Sequence, residues 1–253
     1  MRSDKMLKVI NLNKKYVNKQ VLNNISMNFS FGESTAIIGE SGSGKTTLAK
    51  IITGLEKQDS GQILLNNKEL KELKHRPFSQ CAKIQYIFQD PYSALESNYT
   101  ILKTLKETTA ICKRNKYEHI SIEEALTYVD KNLLNYLDDK VEVLSGGQRQ
   151  KLCIARSLIT NPDIIIADEC TSMLDEKSSE EIYELLNKIK EDKKIILISI
   201  LHEIDFYKGY WDKIAVIKDG NLLENKEFNG FYETAENEYS LRLIEAYKYF
   251  KNK

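Results

Sequence analysis

Residues 39–47, GESGSGKTT, have the composition of a loop that binds phosphate groups. They match the pattern G-x-x-x-x-G-K-[ST], in which glycines let the backbone curl so that its N–H groups face phosphate oxygens. The loop leads into a helix N-terminus, which favours anions. We therefore predict a nucleotide site in which Lys45 contacts the β- and γ-phosphates and Thr46 ligates Mg²⁺; the alternative is a chance Gly/Ser turn. The predicted binding residues of this loop are Gly39, Glu40, Ser41, Gly42, Ser43, Gly44, Lys45, Thr46 and Thr47.

Two adjacent acids close an apolar run at residues 164–169, IIIADE. A buried carboxylate is costly unless it is paired or lies near a cation. Following a phosphate loop, Asp168 at the strand end suits a magnesium site, and Glu169 suits the activation of a water molecule near the γ-phosphate. The alternative is a strand end whose two acids are simply solvated.

The elements that would position these residues alternate between strands and helices. Short strands are predicted at LKVINL, ISMNF, STAII, KIQYIF, IIIAD and KIILISI, and helices follow Gly44 and span 147–160. Helical spacing dominates residues 99–143, and a hairpin is predicted to close at Asp219-Gly220. The prediction is an α/β fold with a mostly parallel sheet, a small antiparallel β subdomain and an inserted α-helical subdomain.

Two further helices are predicted in the C-terminal half. The first spans residues 178–191 and is expected to start with a capping box formed by Ser178 and Glu181. The second covers residues 238–246, EYSLRLIEA, and is expected to turn Leu241, Ile244 and Tyr247 inward.

Composition limits the classes of function. Lys plus Arg and Asp plus Glu both number 37, which gives no electrostatic argument for nucleic acid or for an anionic membrane surface. The four cysteines show no zinc-ligand spacing and fit a reducing compartment. The longest apolar stretch, IILISIL at 195–201, is too short to cross a bilayer, so we expect any membrane role to come through a partner.

Residues 144–150, LSGGQRQ, lie between the phosphate loop and IIIADE. In this order the three segments resemble the ATPase subunits of ABC transporters, which have a P-loop NTPase core. The resemblance implies one domain over 1–253, with a catalytic core at 1–90 and 159–253 and a helical subdomain at about 91–158. It also implies a head-to-tail dimer in which the signature segment of one chain closes over ATP on the other. The signature residues that it assigns to ATP are Ser145, Gly146, Gly147 and Gln148.

The resemblance assigns further roles one residue at a time. Gln89 looks like the glutamine that senses Mg²⁺ and the γ-phosphate; the alternative is an ordinary polar residue at a strand end. Asp175, in SMLD, lies near the dimer seam, and its alternative role as a helix N-cap is compatible with that position. His202 resembles the histidine that contacts the γ-phosphate; the alternative is a structural or solvated histidine. Tyr16 resembles the aromatic residue that stacks on adenine; the alternative is an ordinary exposed tyrosine on a strand. The implied catalytic set is Lys45, Gln89, Glu169 and His202, with Thr46, Gln89 and Asp168 as metal ligands.

The segments FQDPYSAL and EYSLRLIEA are similar to the peptide/nickel importer branch of that family. Two positions depart from the family pattern: Cys170 follows the glutamate where proline is usual, and Leu201 precedes the histidine where serine is common. We interpret Cys170 as a small residue without a redox or metal role.

The resemblance thus implies an ATP- and Mg²⁺-dependent subunit at the cytoplasmic face of the membrane. Its expected partners are a second ATPase subunit (a different chain, with a homodimer as the alternative), permease subunits and, indirectly, a solute-binding protein. Substrates of the branch are nickel, metal–chelator complexes or oligopeptides. The competing hypotheses are a soluble ABC-type ATPase acting on ribosomes or DNA, and a non-catalytic regulatory cassette, which should lack one of the site residues found here.

Overall fold

The computed structural model describes residues 6–201 and 209–251. Its strands, numbered in chain order, are β1 Met6–Tyr16, β2 Lys19–Ser30, β3 Ser34–Ile38, β4 Ser60–Leu65, β5 Lys68–Glu69, β6 Ile84–Ile87, β7 Ile164–Asp168, β8 Ile196–Ile200, β9 Lys213–Lys218 and β10 Asn221–Glu227. Its α-helices are α1 Lys45–Thr53, α2 Phe78–Cys81, α3 Pro91–Ala94, α4 Ile101–Arg114, α5 Ile122–Asp130, α6 Gly146–Ile159, α7 Glu176–Lys193, α8 Phe231–Thr234 and α9 Glu238–Lys251. Short 3₁₀ segments lie at Leu73–His75, Lys131–Tyr136 and Val141–Val143. The predicted α/β class is confirmed.

The chain divides into two compact units. Met1–His75 and Ile198–Lys253 form the first unit, and Arg76–Leu197 forms the second. The helical stretch predicted at about 91–158 lies entirely within the second unit, which also contains β6 and β7. The assignment of 91–158 as a separate helical subdomain stays a prediction.

An antiparallel sheet with the strand order β2-β1-β4-β5 belongs to the first unit. In β1, Leu7 lies opposite Phe29 of β2 on one side and opposite Leu65 of β4 on the other. All three side chains are buried, and such cross-strand pairs stabilise one face of a sheet. The sheet agrees with the small antiparallel β subdomain of the predicted fold class, although its strands β4 and β5 were not predicted from the sequence.

The phosphate loop follows a strand of a second sheet in the same unit. There β3 pairs in parallel with β9, with Ile37 opposite Ala215, and the Leu201 N–H, just after β8, donates to the Ile37 carbonyl at 3.0 Å. Every residue of β3 is buried, as expected for a strand covered on both faces. The hairpin of β9 and β10 turns at Asp219-Gly220, whose φ angles of 48° and 76° suit a type I′ turn.

The second unit places the paired acids at the end of a parallel strand. β6 and β7 pair in parallel with Ile84 opposite Ile164, and the Ile196 N–H at the start of β8 donates to the Asp163 carbonyl at 3.0 Å. All five residues of β7 are buried. The order of strands and helices along this unit follows the sequence prediction.

Helices supply most of the apolar core in the second unit. The fully buried side chains include Leu105 of α4, Leu126 of α5, Leu152 and Leu158 of α6, and Ile182 of α7. Buried side chains recur at helical spacing within α5, as Leu126 and Val129, and within α7, as Ile182, Leu185 and Ile189, which is the pattern that predicted these two helices. Removing a leucine of this kind typically costs about 2–5 kcal/mol.

The predicted start of α7 was wrong by two residues. The cap is Asp175, whose carboxylate accepts the Ser178 N–H at 2.9 Å, so Ser178 lies inside the helix. Asp caps a helix as well as Ser does, and here the aspartate comes three residues earlier. Glu181 does not close a capping box; instead it accepts from Lys151 at 2.8 Å.

The inward face predicted for the last helix was partly wrong. Ile244 of α9 is 3% exposed, as expected, but Leu241 is 41% exposed. The buried partner of Ile244 along the helix is Ser240, four residues earlier, and at 3.6 residues per turn that face rotates Leu241 outward. The side chain of Tyr247, also predicted to point inward, lies outside the described residues.

Candidate functional site

The phosphate loop leaves β3 and enters α1 under tight steric limits. Gly39 has φ 150°, and a Cβ there would lie 1.9 Å from the Ile217 carbonyl oxygen of β9. Gly44, with φ 108°, is the N-cap of α1, and its Cβ would lie 2.5 Å from the Val21 carbonyl oxygen. The loop backbone therefore passes so close to neighbouring strands that only glycine fits at these two positions.

Lys45 is the first residue of α1 and is 4% exposed. Its ammonium donates to the carbonyl oxygens of Gly39 at 2.8 Å and Glu40 at 3.0 Å. A buried cation needs such partners, and here they lie within the loop itself. The charge is therefore held inside the loop, where a phosphate group would meet it, and Thr46 follows as the second residue of the helix.

The turn of the β9–β10 hairpin supports the loop from a second direction. The Gly220 N–H donates to the Ser43 carbonyl at 3.0 Å, and the Gly220 carbonyl accepts from the Asn23 N–H at 2.8 Å. Lys218 lies 3.9 Å from the Glu40 carboxylate. The sequence predicted the hairpin but not its contact with the phosphate loop, because no short-range signal links residues so far apart in the chain.

Asp168 ends β7 and is 7% exposed. The Tyr86 phenol of the neighbouring strand β6 donates a hydrogen bond to its carboxylate. Burial, together with this carboxylate, raises the pKa of Tyr86 well above its ordinary value, so the phenol keeps its proton. Tyr86 was not among the predicted site residues; the usable signal was a tyrosine on a strand, because a phenol that is removed from water normally requires a hydrogen-bonding partner.

Glu169 has left strand geometry, with a φ of 46°. A non-glycine residue in the left-handed region costs about 1 kcal/mol or more and is often found at functional sites. The Gln89 side chain donates to the Glu169 carboxylate at 2.9 Å and to the Ser172 hydroxyl at 3.2 Å. Two residues predicted separately from the sequence are therefore in direct contact in the second unit.

The signature segment forms the start of α6. Ser145 is the N-cap and closes a capping box with Gln148: the Gln148 N–H lies 3.3 Å from the Ser145 hydroxyl, and the Gln148 side chain accepts from the Ser145 N–H at 3.0 Å. A Cβ on Gly147 would lie 3.2 Å from the Ser178 hydroxyl. The box fixes a helix N-terminus whose remaining N–H groups favour an anion.

Asp175 and Cys170 flank the turn after β7. Besides capping α7, the Asp175 carboxylate accepts from the Ser178 hydroxyl at 2.7 Å. The Ser178 N–H and hydroxyl hold the pKa of Asp175 below its usual value. Cys170 is 4% exposed, and burial raises the pKa of its thiol to about 12. An inert buried thiol agrees with the interpretation of Cys170 as a small core residue.

The structure thus groups the predicted residues in two sets. In the first unit it gathers Gly39, Glu40, Ser43 and Lys45, with Tyr16 at the end of β1. In the second unit Gln89 contacts Glu169, Ser145 contacts Gln148, and Asp175 caps α7. His202 lies outside the described residues.

The predicted magnesium ligands have suitable chemistry. Thr46, Gln89 and Asp168 offer hydroxyl, amide and carboxylate oxygens, which are the hard donors that Mg²⁺ prefers, and Mg²⁺ usually takes its other ligands from phosphates and water. Within residues 6–201 and 209–251, no group of three or more His, Cys, Asp or Glu side chains could hold a metal ion. Each of the three predicted donors is of a type that suits a metal bound together with a nucleotide.

No helix in the described part of the chain combines the length and apolar character needed to cross a membrane.

Comparisons with known proteins match this chain to ABC transporter proteins. The family described as ABC transporter matches residues 22–172. The phosphonates import ATP-binding protein PhnC of Fusobacterium nucleatum is 36% identical over 229 residues, which cover 88% of this chain and 92% of that protein.

Solved structures that resemble this chain also come from ABC transporters. CbiO1 from Clostridium perfringens, described as part of the ABC transporter complex cbiONQ, superposes with a TM-score of 0.79 at 29% identity, covering 92% of each chain. The bacterial ABC transporter cassette MJ0796, solved as a dimer, gives a TM-score of 0.73 at 30% identity and covers 89% of this chain and 100% of its own.

Proposed function

Because the chain belongs to the ABC transporter family, as one of its ATP-binding, ATP-hydrolysing domains, we propose that it is the ATPase subunit that drives an importer. The chain is a transport ATPase whose cofactors are ATP and Mg²⁺. The import function printed for the PhnC relative supports the direction of transport.

One observation carries the catalytic assignment. At the end of β7 the chain presents Asp168 and then Glu169 in left-handed geometry, with Gln89 bonded to the Glu169 carboxylate at 2.9 Å. This arrangement holds a partly exposed carboxylate one residue beyond a buried one. We assign Glu169 as the group that takes a proton from the attacking water, with Gln89 orienting it.

The remaining residues bind and position the nucleotide. The phosphate loop and Lys45 bind the phosphates, and Tyr16 stacks on the base. Mg²⁺, when bound with ATP through Thr46, Gln89 and Asp168, offsets charge on the transferred phosphoryl group. His202 supports the attacking water. The signature residues Ser145, Gly146, Gly147 and Gln148, together with Asp175, act on the nucleotide of a second ATPase domain.

We further propose where the subunit works. It lies at the cytoplasmic face of the membrane, pairs with a second ATPase subunit and drives permease subunits, and a solute-binding protein delivers the substrate. The dimer seen for MJ0796 and the CbiO1 complex support pairing and assembly. Nickel, a metal–chelator complex or oligopeptide as substrate stays a prediction from FQDPYSAL and EYSLRLIEA; the PhnC relative is named for phosphonates instead.

Replacing the proposed base tests the catalytic assignment. Glu169→Gln keeps the shape of the side chain but cannot accept the proton, so ATP turnover should fall by at least about 100-fold while ATP still binds. Turnover and ATP affinity would be measured on the purified chain or its complex. Glu184→Gln, on an exposed part of α7, is the control. Turnover of Glu169→Gln at the parent rate would remove Glu169 from this role.

Replacing the loop lysine tests phosphate binding. Lys45→Ala should weaken ATP binding itself, because the cation that meets the β- and γ-phosphates is lost. Lys50→Ala, at an exposed position on the same helix, should bind ATP like the parent. Unchanged ATP affinity in Lys45→Ala would contradict the assigned role of the lysine.

A further inference from the structure

Tyr16 does not stand alone at the end of β1. It is 41% exposed, and Lys14, two residues earlier on the same face of the strand, places its ammonium 4.7 Å from the centre of the Tyr16 ring. A cation at this distance is attracted to the face of an aromatic ring. One face of the ring is therefore covered by Lys14.

The Lys14 ammonium is itself fixed by the segment after α1. It lies 2.7 Å from a Glu56 carboxylate oxygen and 2.7 Å from the Lys57 carbonyl, and 3.8 Å from Asp59. Although it carries a charge, Lys14 is only 7% exposed. Burial alone would lower the pKa of Lys14, but the hydrogen bond and charge of Glu56 outweigh it, and the pKa is raised. The cation therefore stays charged and in place.

Two further groups lie near the phenol end of the ring. Burial and then the Glu56 carboxylate raise the pKa of the Tyr16 phenol, and the Thr47 hydroxyl also acts on that pKa. Thr47 is the third residue of α1, the helix that begins with Lys45. Glu56 thus pairs with Lys14 and lies near the phenol, and Thr47 brings the start of the phosphate-loop helix close to the phenol.

We propose that Lys14 and Glu56 are positioning residues that orient the Tyr16 ring as the stacking surface for the base of the bound nucleotide. This rests on the proposed role of Tyr16. Since Lys14 covers one face, the base stacks on the opposite face. Since the phenol lies near Thr47 of α1, that face lies close to the loop that binds the phosphates. The pair therefore contributes to recognition of the base and not of the phosphates.

The experiment compares a ligand that has a base with one that lacks it. Affinities for ATP and for inorganic tripolyphosphate, each with Mg²⁺, would be measured by calorimetry on the full chain. Lys14→Met keeps most of the side-chain volume, and Glu56→Gln keeps its shape. Each should weaken ATP binding about three- to tenfold and leave tripolyphosphate within about twofold. Lys15→Met, the adjacent exposed lysine, is the matched control for both ligands.

Three outcomes would overturn the proposal. If Tyr16→Ala weakens ATP selectively but Lys14→Met and Glu56→Gln bind it like the parent, the positioning role fails and the stacking role of Tyr16 stands. If Tyr16→Ala leaves ATP binding unchanged, the positioning role and the stacking role both fail. Weaker binding of ATP and of tripolyphosphate in Lys45→Ala would still support the phosphate site. If Lys14→Met weakens the binding of ATP and of tripolyphosphate equally, the contacts of Lys14 and Glu56 only support the phosphate loop.

Two milder variants keep the test informative if Lys14→Met does not fold. Tyr16→Phe keeps the ring but removes the phenol, and it should weaken ATP about two- to fivefold without affecting tripolyphosphate. Lys14→Arg keeps a cation over the ring and should bind ATP more tightly than Lys14→Met. Parent-like ATP affinity in Tyr16→Phe, or equal affinities in the two Lys14 variants, would contradict the proposal.

Discussion

Glu169 shows how one residue combines strain and contact at the proposed catalytic position. Its left-handed φ of 46° turns the chain out of β7, and its carboxylate meets Gln89 rather than following Asp168 into the buried strand end. The two neighbouring acids therefore have different surroundings. The Asp168 carboxylate accepts a hydrogen bond from the Tyr86 phenol, whereas the Glu169 carboxylate accepts one from the exposed Gln89 amide. Different environments for adjacent carboxylates are what separate roles would require.

Replacing Tyr86 should weaken the binding of magnesium. Tyr86→Phe removes the hydrogen bond that orients the Asp168 carboxylate. Loss of an outer partner of a metal ligand typically weakens metal affinity by about 10–100-fold. We expect the Mg²⁺ concentration for half-maximal ATP turnover to rise by about tenfold, which a magnesium titration of the ATPase rate would measure.

A matched tyrosine provides the control. Tyr128 makes the same kind of phenol–carboxylate bond, with Asp192, on elements away from the β7 acids. Tyr128→Phe should leave the magnesium dependence unchanged. Equal magnesium curves for Tyr86→Phe and the parent would show that the phenol does not influence a metal at Asp168.

Elements of the first unit position the phosphate loop by close approach. The β9–β10 hairpin contacts the loop through the Ile217 carbonyl and the Gly220 N–H. The position of the hairpin therefore constrains the path of the loop.

Substitutions at two loop glycines should separate steric clash from backbone preference. In Gly39→Ala the new Cβ would lie 1.9 Å from a backbone oxygen, whereas nothing lies within 4 Å of a Cβ at Gly42. Gly42→Ala should cost only the preference for positive φ, about 1–2 kcal/mol. Gly39→Ala should cost clearly more, measured as the difference in free energy of unfolding in urea. Equal losses of unfolding free energy in Gly39→Ala and Gly42→Ala would mean that the β9–β10 hairpin moves aside easily.

A buried glutamate anchors the start of the last helix. Glu224 of β10 accepts the N–H groups of Glu236 at 3.0 Å and Asn237 at 2.8 Å, and its second oxygen lies 3.1 Å from Lys226. Burial alone would raise the pKa of Glu224, but the Asn237 N–H and the Lys226 ammonium outweigh it, and the pKa is lowered. The carboxylate form therefore stabilises the folded chain.

The sign of the resulting pH dependence follows from that shift. A lowered folded-state pKa gives stability that is present above the unfolded pKa of about 4.3 and lost as the pH falls through the folded value. Glu224→Gln should cost about 1–3 kcal/mol of unfolding free energy at pH 7. The difference from the parent should shrink as the pH falls below about 4. Glu227→Gln, whose exposed carboxylate lies 4.0 Å from Lys213, should show little change at either pH.

At the scale of the whole molecule, the proposed function requires a second ATPase domain. The Glu169→Gln chain should accumulate with ATP and Mg²⁺ as a dimer, because binding persists when turnover is blocked. Ser145→Asp in that background should prevent it: aspartate still caps α6, but its charge repels the partner's phosphates. Light scattering would measure the mass. Ser121→Asp, at the cap of α5, is the control, and an unaffected Ser145→Asp dimer would contradict the assigned contact.

Much of the fold was predictable because its signals are local. Apolar runs of strand length, helical spacing, and turn residues such as Asp219-Gly220 predicted most strands, the longer helices and the hairpin. The strands β4 and β5 and the four-residue helices α2, α3 and α8 were not predicted. The misplaced start of α7 came from a competing cap, since Asp175 and Ser178 can both serve and short-range rules do not rank them. Leu241 was misplaced because the inward face of α9 is centred on Ser240 and Ile244.

The sequence by itself determined the chemistry of this protein: a phosphate loop ending in Lys45, the acids Asp168 and Glu169, and the segment LSGGQRQ. These signals are contiguous, so a short string is enough to carry them. Only the tertiary structure decided which side chains contact the predicted site residues: Tyr86 contacts Asp168, Gln89 contacts Glu169, and Lys14 and Glu56 lie around Tyr16. Each of these contacts depends on strand pairing or on the path of the segment after α1, which bring together residues that no local pattern relates.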